Sequence, residues 1–360
     1  MRRLHFNDLQ PVCPRCLAAG LDTDPLQLHR VDAERDDVVL SGSLLCPNPQ
    51  CLLEFPIIDG IPVLTPNPAQ TLSDQIDVIT RREDLPQATR SMLGDAAGQG
   101  SQWDTSRQHL SIYGWDAYGE FARANNVRAA SPPGAVARTV HHALSRAPAR
   151  RGNTLDLGCS VGRSTFELAA AGQGLVLGVD LSFSMLAFAQ RALLRDNVTF
   201  DVRRVGVVYD EVTCDTAFAS APLCDFWLCD ATVLPFKAAS LDHLAAFNVL
   251  DCLPSPLGTL QEIDRLLSPG GDAILTTPYD WSIAATPVEQ WLGGHSQRGG
   301  VQGDSAAMLR SLLTPGAHPQ SLPGLQLVAE EAYLPWQTRL HDRSTVSYDA
   351  HLTIAAKAGP

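Results

Sequence analysis

The chain has 360 residues, 45% of them hydrophobic and 18% charged, which is enough for a large core and for two domains or one domain with an appendage. A formal net charge of −12 argues against a broad, sequence-independent grip on nucleic acid, which needs clustered Lys and Arg, and leaves room for no more than a small basic patch. No apolar run approaches the roughly 20 residues that cross a bilayer, and the opening Met1–Asp8 is basic without an apolar stretch, so the expectation is a cytoplasmic protein with no membrane association.

Residues 1–66 read as one unit. Four of the nine cysteines lie here, as Cys13-Pro14-Arg15-Cys16 and Cys46-Pro47-Asn48-Pro49-Gln50-Cys51. In a reducing compartment such pairs favour metal over disulfide. Four thiolates suit a closed, tetrahedral, structural Zn²⁺ site, with Cys13, Cys16, Cys46 and Cys51 as candidate ligands. The other reading is four buried cysteines without metal. The prolines thin out helix potential, so short strands and tight knuckles are predicted, ending in the apolar run Phe55–Leu64. Residues 67–130 read as a linker and helical lid. They include a glycine-rich stretch at 94–100 and the aromatic cluster Tyr113, Trp115 and Tyr118, which serves either as a cover over a site or as a helix face against a sheet. Ser131-Pro132-Pro133-Gly134 then punctuates the chain before a helix predicted over 135–146, and residues 131–360 read as the third unit.

From Thr154 onward strands and helices alternate, the pattern of an α/β, Rossmann-like parallel sheet with crossover helices. The predicted strands are Thr154–Leu157, Leu175–Val179, Phe226–Cys229, Leu244–Val249 and Ala273–Thr276, and the predicted helices are Ser164–Ala171, Ser184–Arg195 and Thr259–Leu267. The long gap after the second strand holds Val198–Val212, which alternates as an inserted hairpin would. Two late strand-like runs, Gln326–Trp336 and Thr345–Ala355, follow a glycine-rich loop at Gly293–Gly303.

The residues after the first three strands carry the chemistry. Asp156-Leu157-Gly158-Cys159-Ser160-Val161-Gly162 is a strand end, a glycine turn and a helix start, where glycine lets backbone pass close to a ligand. Asp180, at the end of the second strand, can accept both hydroxyls of a ribose. Asp230, after the third, can accept an adenine amino group. Cys159, Leu181, Ala231 and Asn248 complete the predicted cofactor contacts. A nicotinamide dinucleotide is the rival ligand, but it prefers a full G-x-G-x-x-G turn. Here Asp156 precedes the turn and Ser160 holds the middle position. An acid at that point repels a pyrophosphate and suits the cationic amino group of S-adenosylmethionine.

These residues resemble the class I S-adenosylmethionine-dependent methyltransferases, over roughly residues 130–357, with Ser160 where a glycine is commoner. The stretch Asn248-Val249-Leu250-Asp251-Cys252, then Pro278-Tyr279-Asp280-Trp281, Trp291-Leu292-Gly293-Gly294 and Leu334-Pro335-Trp336 is similar to the methyltransferase domain of ovothiol synthase, which methylates a ring nitrogen of 4-mercaptohistidine. The first stretch also resembles protein-histidine methyltransferases. That resemblance implies that Asn248, Asp251 and Tyr279 hold an imidazole, in a small molecule or a peptide, with Asp251 accepting its N–H and so aiming the other nitrogen at the methyl group. On the residues alone, Asn248 and Asp251 could equally satisfy loop backbone, and Tyr279 could be a core aromatic. Glu54–Leu64 resembles the zinc-ribbon activator subunit of tRNA, rRNA and release-factor methyltransferases, which implies a structural Zn²⁺ and an apolar tail packed on the transferase. Two further functions stay open: methylation of another small molecule or of RNA, and a non-catalytic, cofactor-binding activator protein.

Overall fold

The computed structural model describes residues 1–75, 98–123, 127, 132–148 and 151–359. Most of the predicted linker, the first part of its glycine-rich stretch and Ser131 lie outside the described residues. Two short helices, α1 (Arg3–Leu9) and α2 (Pro14–Ala18), open the chain. They correct the expectation of strands and knuckles alone. Pro14 starts α2, where a missing N–H costs nothing, and Pro14 and Cys16 turn inward from it. An antiparallel meander follows: β1 (Gln27–Arg35), β2 (Val38–Leu45), β3 (Glu54–Ile58) and β4 (Ile61–Leu64). The β3–β4 turn is Asp59-Gly60, both at positive φ (50° and 82°), the two-residue geometry that matches strand twist.

Helices α3 (Pro68–Asp74), α4 (Gln102–Tyr118) and α5 (Ala135–Leu144) lead into the main sheet. The Ser101 side chain caps α4 by accepting the Asp104 N–H. Trp115 and Tyr118 are buried, so this helix is anchored in the core rather than laid over it. Five parallel strands follow: β5 (Thr154–Leu157), β6 (Val176–Asp180), β9 (Cys224–Cys229), β10 (Leu241–Phe247) and β11 (Leu267–Thr277). The crossover helices are α6 (Arg163–Ala171), α7 (Phe183–Leu194) and α8 (Pro256–Leu266). β5 matches its predicted bounds, and the other strands are shifted or lengthened at their ends. All are apolar runs because both faces of the sheet are covered. The inserted hairpin β7 (Asn197–Val205) and β8 (Val208–Asp215) is a separate two-stranded sheet, tied to α4 by a buried Arg107–Asp201 ion pair at 2.9 Å.

Beyond β11, Asp304 caps a helix absent from the sequence reading, α9 (Ser305–Leu312), by accepting the Ala307 N–H at 3.0 Å. The chain ends in a long hairpin, β12 (Leu325–His341) and β13 (Ser344–Lys357), with β13 antiparallel to β11. The whole sheet runs β1-β2-β3-β4-β9-β6-β5-β10-β11-β13-β12. β4 is buried along its length and pairs in parallel with β9, Val63 opposite Leu228 and Leu64 opposite Cys229, so the amino-terminal meander continues the parallel sheet. Among the described residues, no helix is long and apolar enough to cross a membrane.

Strand order reverses between β5 and β10, and in such sheets the crevice beyond the carboxyl ends at that point takes the ligand. Gly162 packs the start of α6 against the sheet beneath this crevice. It sits at φ 89°, and a Cβ there would lie 2.6 Å from Phe226 Cζ and 2.8 Å from Ala189 Cβ. Gly162→Ala is expected to destabilise the fold by about 2–4 kcal/mol, from a left-handed conformation plus overpacking. A denaturant midpoint that does not move would contradict this packing.

Candidate active site

A cavity of about 600 Å³ opens at that crevice, within the range of small-molecule sites. Its floor is the loop after β5. Gly158, at φ 71°, lies so close to β10's exit that a Cβ would meet Val249 Cγ2 at 2.4 Å. Ser160 adopts φ 50°, the left-handed conformation that favours glycine, so the replacement noted in the sequence is accommodated at a conformational cost. Its N–H donates to Asp180 Oδ2 at 2.9 Å, and its buried hydroxyl has no hydrogen-bond partner.

Asp180 is fixed by that bond and by the Ser182 N–H on Oδ1 at 2.8 Å. Burial pushes its carboxyl up, and the backbone N–H groups pull the other way. Asp230 Oδ1 accepts both the N–H and the hydroxyl of Thr232, at 2.8 and 2.7 Å, which leaves Oδ2 for a ligand. Gly158, Cys159, Asp180, Leu181, Asp230, Ala231 and Asn248 all line the cavity, together with Asp251.

Three expected site residues stand elsewhere. Asp156 is buried beneath the loop, and its Oδ2 accepts the hydroxyls of Ser164 and Thr165 at 2.6 and 2.7 Å. It clamps the first turn of α6 and does not line the cavity, which corrects the expected direct contact with a cofactor amino group. Gly162 likewise serves helix–sheet packing. Tyr279 is turned away from the cavity. Its hydroxyl bonds His351 Nδ1 at 2.7 Å, His351 Nε2 meets Glu330 at 3.1 Å, and Arg310 donates to Glu330 at 2.7 Å. The sequence could not show this, because the turn after β11 puts Tyr279 at φ 56° and so sends its side chain toward β13. Tyr279 thus supports the loop instead of holding an acceptor. Tyr279→Phe is expected to lower kcat/KM by about fivefold or less, the scale of one hydrogen bond. Steady-state kinetics showing a hundredfold loss would restore it to direct contact.

The acceptor end is built from the loops after β10 and β11. Asn248, at φ 53°, donates its N–H to the Thr276 carbonyl at 2.9 Å, and its Oδ1 accepts from Thr276 Oγ1 at 2.9 Å. What it can offer a ligand is therefore Nδ2–H. Asp251 is 2% exposed. Its Oδ2 accepts the Asp280 N–H at 2.7 Å, while its buried Oδ1 has no partner. Burial pushes this carboxyl up from its ordinary value, opposed by the Asp280 N–H. The opposite wall comes from α4, through His109, Ile112 and Tyr113, and from one face of β12, through Trp336, Thr338 and Leu340, with Tyr348 from β13. The sequence reads His109, Ile112 and Tyr113 as lid and Trp336 and Tyr348 as strand, while Thr338 and Leu340 lie beyond the predicted Gln326–Trp336. Their period-two spacing showed a common face without showing what it faces.

The four amino-terminal cysteine sulfurs all lie within 4.8 Å of one another, with Cys16–Cys46 at 3.8 Å and Cys13–Cys51 at 3.9 Å. A tetrahedral zinc with bonds of about 2.3 Å needs sulfurs about 3.8 Å apart, so the cluster fits a metal ion. Asn48 Nδ2 donates to Cys16 Sγ at 3.7 Å, an outer-shell contact of the kind that orients ligands. Cys13, Cys16 and Cys46 share one core with Leu234 and Phe236, and the Val12 N–H donates to the Pro235 carbonyl at 2.8 Å. The cluster thereby braces the segment that begins at Asp230.

A family model described as a methyltransferase domain matches residues 155–275, the span from β5 into β11. The chain carries a methyltransferase domain. It is an enzyme of the methyltransferase class. No curated protein matches the sequence. Among solved structures, a chain from the complex between the Haloferax volcanii Trm112 methyltransferase activator and a methyltransferase is 20% identical, with 61% of this chain and 89% of that one covered and a TM-score of 0.38. Haemonchus contortus phosphoethanolamine N-methyltransferase 2, in complex with S-adenosyl-L-methionine, is 22% identical over 48% of this chain and 35% of that one, at a TM-score of 0.33. Geranyl diphosphate C-methyltransferase from Streptomyces coelicolor A3(2) is 15% identical over 39% and 45%, at 0.30. This chain thus spans less than half the length of either of these two enzymes, and nothing about its acceptor follows from them.

The lining fits the methyl donor. Asp180 is presented by two backbone donors where a ribose would lie, Gly158 leaves no room for a side chain, and the unpartnered Ser160 hydroxyl is available to a ligand. Asp180→Ala removes the carboxylate and strands two N–H groups. It is expected to weaken S-adenosylmethionine binding by about a hundredfold, the scale of two charge-assisted bonds. Calorimetry giving a Kd within about threefold of the parent would contradict that role.

Proposed function

We propose that this enzyme transfers the methyl group to a ring nitrogen of an imidazole, in histidine, a thiohistidine, a related small molecule or a peptide. The observation that carries the reading is Asp251: a carboxylate buried in the cavity wall, one oxygen pinned by a backbone N–H and the other without a partner. A buried acceptor of that kind calls for a donor from the ligand. A neutral imidazole, with a pKa of about 6.5, supplies one N–H and one lone pair on opposite sides of the ring. With the N–H on Asp251 Oδ1, the tautomer is fixed and the lone pair points away from the carboxylate. Asn248, at the end of β10, borders the same space and holds the cofactor-side edge. S-adenosylmethionine, when bound, supplies an electrophilic methyl carbon on a sulfonium. The ring nitrogen's lone pair forms the new N–C bond, and the C–S bonding pair returns to sulfur. The ring becomes cationic, and Asp251 stabilises that charge until the N–H proton leaves to solvent. Most of the acceleration comes from placing the lone pair about 3 Å from the methyl carbon.

The supporting parts follow the same reading. Residues 1–66 act as a zinc-ribbon-like module holding structural Zn²⁺ on Cys13, Cys16, Cys46 and Cys51. Residues 67–130 act as linker and helical lid, and residues 131–360 as the Rossmann-like transferase domain. The working compartment is the cytoplasm, where these thiols stay reduced.

The test is transfer of ¹³C-methyl from labelled cofactor to histidine, thiohistidine and histidine-containing peptides, followed by NMR. The expected product carries label on a ring nitrogen. Label found only on oxygen, carbon or RNA acceptors would sink the imidazole reading.

A further inference from the structure

Resting on that reading of the acceptor, we propose that the acceptor is a neutral imidazole ring carrying a cationic amine arm and no carboxylate. Five carboxylates line the cavity: Asp116, Asp180, Asp230, Asp251 and Asp280. Asp116, Asp180 and Asp230 are already held by hydrogen-bond donors of the protein. At the acceptor end, Asp251 keeps a buried, unpartnered oxygen, and Asp280 stands beside it on the exposed rim, its N–H on the Asp251 carboxylate.

The cationic side is nearly empty. Among the described lining residues, the permanent cation is Arg163, and its guanidinium is committed to Glu167, Glu120 and the Ala117 carbonyl. A substrate carboxylate at the acceptor end would meet no counter-charge and two nearby acids, which is unfavourable in a partly desolvated site. An ammonium meets the opposite. Asp280 offers a carboxylate on the same residue whose N–H fixes Asp251. Tyr348, whose hydroxyl hydrogen-bonds the Asp280 carboxylate and leaves its other oxygen to a ligand, and the rings of Tyr113 and Trp336 line the same cavity and suit a cation. The two acids then divide the work. Asp251 takes the ring N–H, and Asp280 takes the ammonium at the end of a short arm. The same charge pattern rejects phosphate-bearing acceptors and nucleic acid.

The experiment compares histamine, histidine, 4-methylimidazole and imidazole-4-acetate as acceptors with labelled cofactor at neutral pH. Histamine is expected to have the highest kcat/KM, about tenfold above neutral 4-methylimidazole and about a hundredfold above anionic imidazole-4-acetate, the scale of one and two partly screened charge contacts. Asp280→Asn is expected to narrow the ratio of histamine to imidazole-4-acetate by about tenfold. An equal or reversed order, or a ratio unmoved in Asp280→Asn, overturns the proposal while leaving imidazole methylation standing. Failure of the imidazole reading has a different signature, no label on any of the four. The charge preference is then read by titrating histamine and imidazole-4-acetate into the S-adenosylhomocysteine complex. Tighter binding of the amine supports the proposal, and equal, reversed or undetectable binding overturns it.

Discussion

Asp251→Asn is expected to lower kcat by about a hundredfold or more while leaving the Kd for S-adenosylmethionine within about threefold. The reason is that asparagine keeps the shape and loses one acceptor. In the native loop, Oδ2 accepts the Asp280 N–H and Oδ1 is free for the substrate. An asparagine must give its single oxygen to one of them. If the oxygen stays on Asp280, the amide donors face the ring and select the tautomer whose proton sits on the reacting nitrogen. If the amide flips, the Asp280 N–H is stranded against a donor and the loop shifts. Either way the carboxylate that offsets the developing ring charge is gone. The end of the cavity proposed for the cofactor is lined by Gly158, Asp180 and Asp230 on other loops, which is why binding of the donor should survive. Equal turnover in the variant, measured by single-turnover methyl transfer, would remove Asp251 from the mechanism.

The second large effect is expected from the cysteine cluster. Cys16→Ser, or removal of metal from the parent by a chelator, should lower the unfolding midpoint by about 10 °C or more and weaken the cofactor site with it. Thiolate cross-linking stabilises a short segment, and this one shares its core with Leu234 and Phe236 and extends the sheet through β4 onto β9. Loosening it frees the segment after Asp230. Elemental analysis of reduced protein should give close to one zinc per chain. A value far below that, or a midpoint indifferent to chelation, would return the four cysteines to plain buried thiols.

The parallel core was legible because its strands are apolar runs separated by turn residues, and because acids sit at three successive strand ends. Asp180 and Asp230 line the cavity as those positions suggested, whereas Asp156 does not. A strand-end position says which end of the sheet a residue occupies, but it does not say whether a neighbouring hydroxyl takes the carboxylate. Ser164 and Thr165 decided that here. Tyr279 was misplaced for a similar reason: its side-chain direction depends on a left-handed backbone turn that the residue type does not announce. The parallel pairing of β4 with β9 and the β12 face that walls the cavity depend on long-range packing, where local periodicity carries no information about the partner. The helices α1 and α9 escaped because each is short and amphipathic over barely two turns. Asp304 did carry the capping signal for α9.

The most direct test is a structure of the protein bound to S-adenosylhomocysteine and an imidazole acceptor. The expected result has the ribose on Asp180, the adenine beside Asp230, one ring nitrogen within about 3 Å of Asp251 Oδ1 and the other facing the cofactor sulfur. A cofactor bound away from the ends of β5 and β10, or an imidazole that leaves Asp251 Oδ1 unpartnered, would contradict it.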